Sequence, residues 1–231
     1  MNEDLAALAA FEGTVRLFPL GNLVFFPHTV QGLHIFEPRY REMAEDALND
    51  DQLIALVLLP DLPEQAYLDV PTLETIACLG RITQAEIFPD GRYNMRIKGI
   101  ARIRIIEEYS TDRMYRTARA ELLPDVIPDD VKLLTALRKE LAEAVLPRFE
   151  PTAPAFRHLV ELFAGETPLG ALCDMLAYAL PLDVELKQML LAESMVHLRA
   201  QLLTAALQPD DDAETEGFGS PKNFPPEFSA N

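Results

Sequence analysis

The stretch VRLFPLGNLVFFPHTVQGLHIFEPRY, residues 15–40, decides the fold. Two short apolar runs, 15–20 and 23–27, flank the turn pair Gly21-Asn22. A third run, 33–36, passes straight into Glu37-Pro38. Proline has no backbone N–H to give a sheet ladder. Pro19 therefore puts the first run at a sheet edge or ends its pairing there, and Pro27 closes the second. Pro38 suits the first helical position, where a missing N–H costs nothing. Tyr40, Met43, Ala44, Ala47 and Leu48 then recur at helical spacing and form one core-facing stripe. The stretch predicts strands at 15–20, 23–26 and 32–35, then a helix from Pro38 that stops at Asn49-Asp50-Asp51.

Working outward, residues 2–10 predict a short helical turn with little to bury. Downstream, LIALVLL (53–59) is unbroken apolar sequence and predicts a strand buried on both faces. Residues 60–72 hold three prolines and predict a long loop, of a length often tied to function. A strand at 78–88 and the turn Pro89-Asp90-Gly91 lead into a strand in which Tyr93, Met95 and Ile97 alternate with Asn94, Arg96 and Lys98. Gly99 marks a bulge or bend. Ala101, Ile103 and Ile105 then alternate with Arg102 and Arg104, and 115–122 alternates again. After Pro124 and Pro128 the spacing turns helical. Asp129 or Asp130 caps a helix carrying Leu134, Leu137, Leu141 and Val145, stopped at Pro147. Further helices follow at 155–164, from the cap pair Thr167-Pro168 to Pro181, from Asp183, and from about Ser194. Residues 209–231 are acidic, rich in Gly and Pro and without periodicity. They cannot bury enough to offset ordering entropy and are expected to be disordered.

Net charge is −17, which disfavours general affinity for nucleic acid or anionic membrane. Residues 81–119 nonetheless carry nine Lys/Arg against five Asp/Glu, a local basic stretch on an acidic body. Cys78 and Cys173 form no CxxC pair and read as reduced core residues. The acidic start MNEDLAALAAFEG lacks a basic leader region, and no apolar run nears the ~20 residues of a membrane span. The expectation is a soluble, cytoplasmic protein.

PLGNLVFFPHTVQGLHIFEPRYREM (19–43), ACLGRI (77–82), PDGRYNMRIKGIARIRI (89–105) and, more loosely, LAYALPLDVELKQMLLAE (176–193) occur in this order. Together they resemble the Lon protease N-terminal (substrate-binding) domain family, over about residues 14–207. The resemblance implies an α+β fold: a six-stranded antiparallel β pseudo-barrel, PUA-like, with one helix, followed by a C-terminal helical bundle. The implied division is an N-terminal extension (1–13), a barrel subdomain (14–125), a bundle (126–208) and the tail (209–231). It also implies engagement of protein substrates on behalf of an ATPase and a peptidase. GxxxxGK[ST] is absent, so there is no phosphate-cradling loop. Ser220 and Lys222, in the tail, have nothing to hold them in register as a Ser–Lys pair. The implied function is a non-catalytic binding module for unfolded or extended protein segments, a possible adaptor for a separate protease or chaperone, with no cofactor and no metal.

Candidate binding residues fall in two groups. Phe25 and Phe26 are adjacent and must point to opposite faces of a strand, so one is covered by another element or lines an apolar groove; Phe36 shares that aromatic content. The second group is Tyr93 with Arg96, Arg102 and Arg104; the three arginines belong to a basic stripe completed by Arg92, Lys98, Arg116 and Arg119. That stripe reads as a solvated face ion-paired to residues such as Glu86 and Glu121, or as a positive patch for acidic segments. An RNA or small-ligand face on the barrel stays open as an alternative; for RNA, Tyr93 and Tyr115 are the stacking candidates. A cryptic hydrolase stays open too, although no GxSxG is present. His28 and His34 read as strand-end residues rather than a metal pair. NFPPEF (223–228) reads as an inert tail or as a short docking peptide for the protein's own groove.

Overall fold

The computed structural model describes residues 3–60 and 72–208, and the backbone of 229–230. The loop expected at 60–72 and the tail expected at 209–231 therefore lie almost wholly outside the described residues. In chain order, α1 (Glu3–Ala9) precedes β1 (Thr14–Gly21), β2 (Val30–Ile35), α2 (Pro38–Leu48), β3 (Leu53–Leu59), β4 (Ile76–Ile87), β5 (Tyr93–Tyr109) and β6 (Thr117–Leu122). Five strands close on themselves: β1 lies between β3 and β6, β4 pairs with β3 and β5, and β5 pairs with β6. β2 hangs outside this ring on the first half of β5, with Val30 opposite Lys98 and Ile35 opposite Tyr93.

Two expectations need correction. The strands are not all antiparallel: β1 and β3 run parallel, from Leu17 opposite Ala55 to Gly21 opposite Leu59, so the sheet is mixed. The crossover that parallel pairing demands is supplied by β2 and α2. Nor is 23–26 a strand. Asn22 (φ 60°) and His28 (φ 64°) bracket it in left-handed backbone, and the segment crosses β5 instead. His28 N–H donates to the Gly99 carbonyl and Gly99 N–H to the Thr29 carbonyl, both at 2.9 Å. Only glycine fits at 99, because a Cβ there would stand 2.1 Å from the Phe26 carbonyl oxygen. The expected bulge is beside it: the β4–β5 register slips between Leu79 and Gly80. Pro19 is accommodated by the ring itself. β1 pairs with β6 only over Thr14–Arg16, so at Pro19 one side of the strand is open.

The core has two parts, and β3 divides them. Leu53, Ala55 and Val57 point into the ring with Val15, Leu17, Ala77, Leu79, Ile103, Ala118 and Ala120. Ile54, Leu56 and Leu58 point the other way, into a core shared with Phe18, Phe26, Tyr40, Met43 and the helices. A strand buried on both faces has no reason to alternate, which accounts for LIALVLL. The α1 segment also has more to bury than its sequence suggests. Ala7, Leu8 and Phe11 pack on the ring core, while Asp4 accepts hydrogen bonds from Arg81 Nε (2.9 Å) and Lys98 Nζ (2.5 Å).

Five α-helices follow among the described residues: α3 (Val131–Val145), α4 (Pro154–Ala164), α5 (Leu169–Ala179), α6 (Val184–Ala192) and α7 (Val196–Ala206). Asp130 caps α3, accepting from the Lys132 and Leu133 N–H groups at 3.0 Å. α5 is entered at Pro168 without a side-chain cap, rather than through the expected Thr167 hydroxyl. α3 and α5 pack on α7, and α6 reaches β4. Among the described residues no helix is long and apolar enough to cross a membrane.

Candidate functional site

β2 puts Gln31, Leu33 and Ile35 inward and Val30, Gly32, His34 and Phe36 outward, the two-residue period of a strand. Inward, Tyr178 of α5 donates its hydroxyl to Gln31 Oε1, tying the strand to the bundle. Outward, Val30 is 45% and Phe36 43% exposed. The His34 ring bonds Asn94 Oδ1 through Nδ1 (2.8 Å), stacks on Phe36 (6.2 Å between centroids) and meets Phe88 edge-on (6.3 Å). Arg92 lies over Phe88. Arg96, opposite Gly32 on β5, is exposed and makes no ion pair among the described residues. The result is an aromatic row with a cationic neighbour, on a strand at the margin of the sheet. Among the described residues its other side carries only β7 (Ser229–Ala230), parallel to β2. Such a face can offer apolar contact, a positive charge and unpaired backbone groups.

The sequence candidates do not form one site. Phe25 (1% exposed) and Phe26 (0%) line no groove, because the chain that carries them turns under the sheet and Phe25 meets Tyr178 edge-on. Tyr93 is buried in the core opposite Ile35, and Tyr115 is buried as well, its hydroxyl donated to Asp46. Burial, with the Asp46 carboxylate adding to it, pushes the Tyr115 hydroxyl up to about 12. Neither tyrosine is therefore free to stack on a base. Arg104 is exposed but lies farther along β5, opposite Ile76. Of the candidates, Phe36 and Arg96 share the β2 face.

Arg102 is the largest departure. Expected on the solvated stripe, it is 3% exposed and points at the bundle. Its Nη1 donates to Asp174 (3.0 Å) and Asp125 (3.2 Å), its Nη2 to Asp174, and its Nε to the Leu191 carbonyl (2.9 Å). Arg199, fully buried on α7, donates to the same two carboxylates, at 3.0 Å to Asp174 and 2.5 Å to Asp125. Two arginines and two aspartates thus balance inside the barrel–bundle junction. Burial pushes the Asp174 carboxyl up, and the two guanidiniums oppose that. The rest of the stripe is largely neutralised locally: Arg92 by Asp90, Lys98 by Asp4, and Arg116 by Glu108. The sequence held a signal for the cluster: Asp174 interrupts the apolar α5, and Arg199 sits at core spacing with Val196, Ala200 and Leu203.

Among the described residues no three His, Cys, Asp or Glu side chains gather as a metal site. Both cysteines are buried, and burial raises their thiols, Cys173 to about 12, which keeps them protonated and unreactive.

The family described as the ATP-dependent protease La (LON) substrate-binding domain matches residues 14–208. The chain is 28% identical to a Lon protease of Anaeromyxobacter dehalogenans over 208 residues, covering 89% of this chain and 23% of that one. It is 29% identical to Lon protease 2 of Myxococcus xanthus, over 83% of this chain and 23% of that protein. The chain thus spans about a quarter of the length of these curated relatives. Among solved structures, the N-terminal domain of a Mycobacterium avium complex Lon protease shares the fold, with TM-score 0.65 and 17% identity over 84% of this chain and 97% of that one. A Lon N-terminal domain protein from Xanthomonas campestris does so with TM-score 0.56 and 22% identity, over 83% and 97%. A mixed sheet buttressed by helices and a family match across nearly all of the described body lead to one conclusion: the chain belongs to the LON substrate-binding domain family.

Proposed function

We propose that this protein is a non-catalytic recognition module that binds unfolded or extended protein segments on the outer face of β2, around Phe36, His34 and Arg96. The observation that carries the reading is the substrate-binding-domain match over residues 14–208. The half-exposed Phe36 stacked on His34, beside a strand edge paired only at Leu33 and His34 among the described residues, supports that location. We further propose that residues 14–125 supply the binding face and 126–208 the buttress. The module works in the cytoplasm as an adaptor, passing clients to a protease or chaperone on another chain.

The test uses α-casein, a protein without stable structure, as the client. Captured casein should be retained by the parent protein and several-fold less by Phe36→Ser, and raising salt should weaken binding only modestly, because Arg96 is the one charge, unpaired among the described residues, that the proposed contact uses. Casein should stay intact with or without ATP. Equal retention by Phe36→Ser would move the site off this face. Cleavage by the purified protein would overturn the non-catalytic reading. A shift of labelled RNA with a steep salt dependence would favour nucleic acid instead.

A further inference from the structure

A strand at a sheet margin presents a row of unpaired backbone N–H and C=O groups, a template for one more strand. On β2 that template is partly in use. Ser229 lies opposite Leu33 and Ala230 opposite His34, in parallel register. The pairing is made by backbone, so it needs no particular side chain at 229 or 230. A two-residue ladder is too small to hold a free peptide. Here, however, residues 209–228 connect it to the body. That length of chain reaches about 70 Å when extended, so docking within one molecule is sterically open. Linkage within one chain raises the effective concentration of such a segment to the order of millimolar. The connecting sequence is also opposite in charge to the Arg96 face: it holds Asp210, Asp211, Asp212, Glu214, Glu216 and Glu227 against one Lys222.

We infer that the edge of β2 is a strand-addition site that takes extended protein segments parallel to β2, and that residues 229–230 are its occupant in cis. The inference rests on the reading that this face binds clients, and it supplies the binding mode: backbone pairing at Leu33–His34, with Phe36 and Arg96 reading the flanking side chains. A client must displace the tethered strand. Its apparent affinity falls by the fraction of time the edge is free, about 2–10-fold if the edge is occupied half to nine-tenths of the time.

The test keeps the full chain and changes only Ser229→Pro together with Ala230→Pro, which removes the backbone N–H at both positions. Hydrogen exchange is followed at residues 30–36, and labelled α-casein binding is titrated in parallel. The expected result is several-fold faster exchange at 30–36 and 2–10-fold tighter casein binding. Unchanged exchange at 30–36 overturns the inference whatever casein does. Faster exchange with equal casein affinity overturns the competition between strand and client. Faster exchange with no casein binding to either form supports the docked strand and overturns the client-binding reading of this face.

Discussion

Replacing Asp174 with alanine should be among the most damaging single changes in this protein. The carboxylate is fully buried and accepts from both Arg102 and Arg199, themselves 3% and 0% exposed. In the parent, two guanidiniums face two carboxylates. In Asp174→Ala both guanidiniums remain, with Asp125 alone to serve them. Breaking a buried pair by removing one partner costs about 3–5 kcal/mol, because a charge is left without compensation in low dielectric. With a urea dependence of about 2 kcal/mol per molar, the unfolding midpoint should fall by roughly 1.5–2.5 M. The paired variant Arg102→Met with Asp174→Leu removes one charge of each sign and leaves Arg199 on Asp125 at 2.5 Å. It should therefore recover most of the loss and sit within about 2 kcal/mol of the parent, since apolar replacement of a whole buried pair is often close to neutral. Urea titration followed by far-ultraviolet dichroism and tyrosine fluorescence reads both variants; the chain has six tyrosines and no tryptophan. The reasoning fails if Asp174→Ala stays within 1 kcal/mol of the parent. It fails equally if the paired variant loses as much as the two single changes added together.

Gly99→Ala drives a methyl group into the Phe26 carbonyl, a backbone atom that cannot swing away, and should cost about 1–3 kcal/mol or more in a thermal melt. Phe25→Ala should lower stability by about 3–5 kcal/mol as a core truncation. Phe36→Ser, at 43% exposure and stacked on His34, should cost about 1 kcal/mol, leave the protein folded and lower casein retention several-fold. Asp4 is held below its ordinary carboxylate value: burial opposes ionisation, but Lys98 and Arg81 outweigh it. The stabilisation from its pairing is therefore present above pH 3.8 and lost as pH falls below that, through the folded-state value. Hydrogen exchange in α1 should rise over that range, and Asp4→Asn should show raised exchange already at neutral pH. Cys78 and Cys173 should react with a thiol reagent only after the protein is unfolded in urea.

Local chemistry was legible in the sequence wherever a residue's own backbone limits decided its place. Pro38 began a helix, Asp130 capped one, Pro89-Asp90-Gly91 turned a hairpin, Gly99 sat beside a bulge, and LIALVLL ran through the middle of the fold. These follow from φ limits, missing donors and hydrophobic period, which act within a few residues. Pairing partners did not follow. Nothing local says that β1 and β3 run parallel, that Phe25 and Phe26 lie in a crossing segment with no strand, or that an arginine alternating like its neighbours turns inward to meet Asp174. Strand alternation distinguishes two faces, but only the rest of the chain decides which face is wet. On the first half of β5 the face carrying Arg96 is open. The register slip between Leu79 and Gly80 then puts one extra residue into β5, so Arg102, opposite Cys78, faces the side that carries Tyr93, Met95 and Ile97. There Leu191 of α6 and Asp174 of α5 meet it, and two aspartates distant in sequence make its burial tolerable. The proposed binding face was half visible for the same reason: Phe36 and Arg96 could be named from sequence, but their meeting at the margin of the sheet is a product of tertiary pairing.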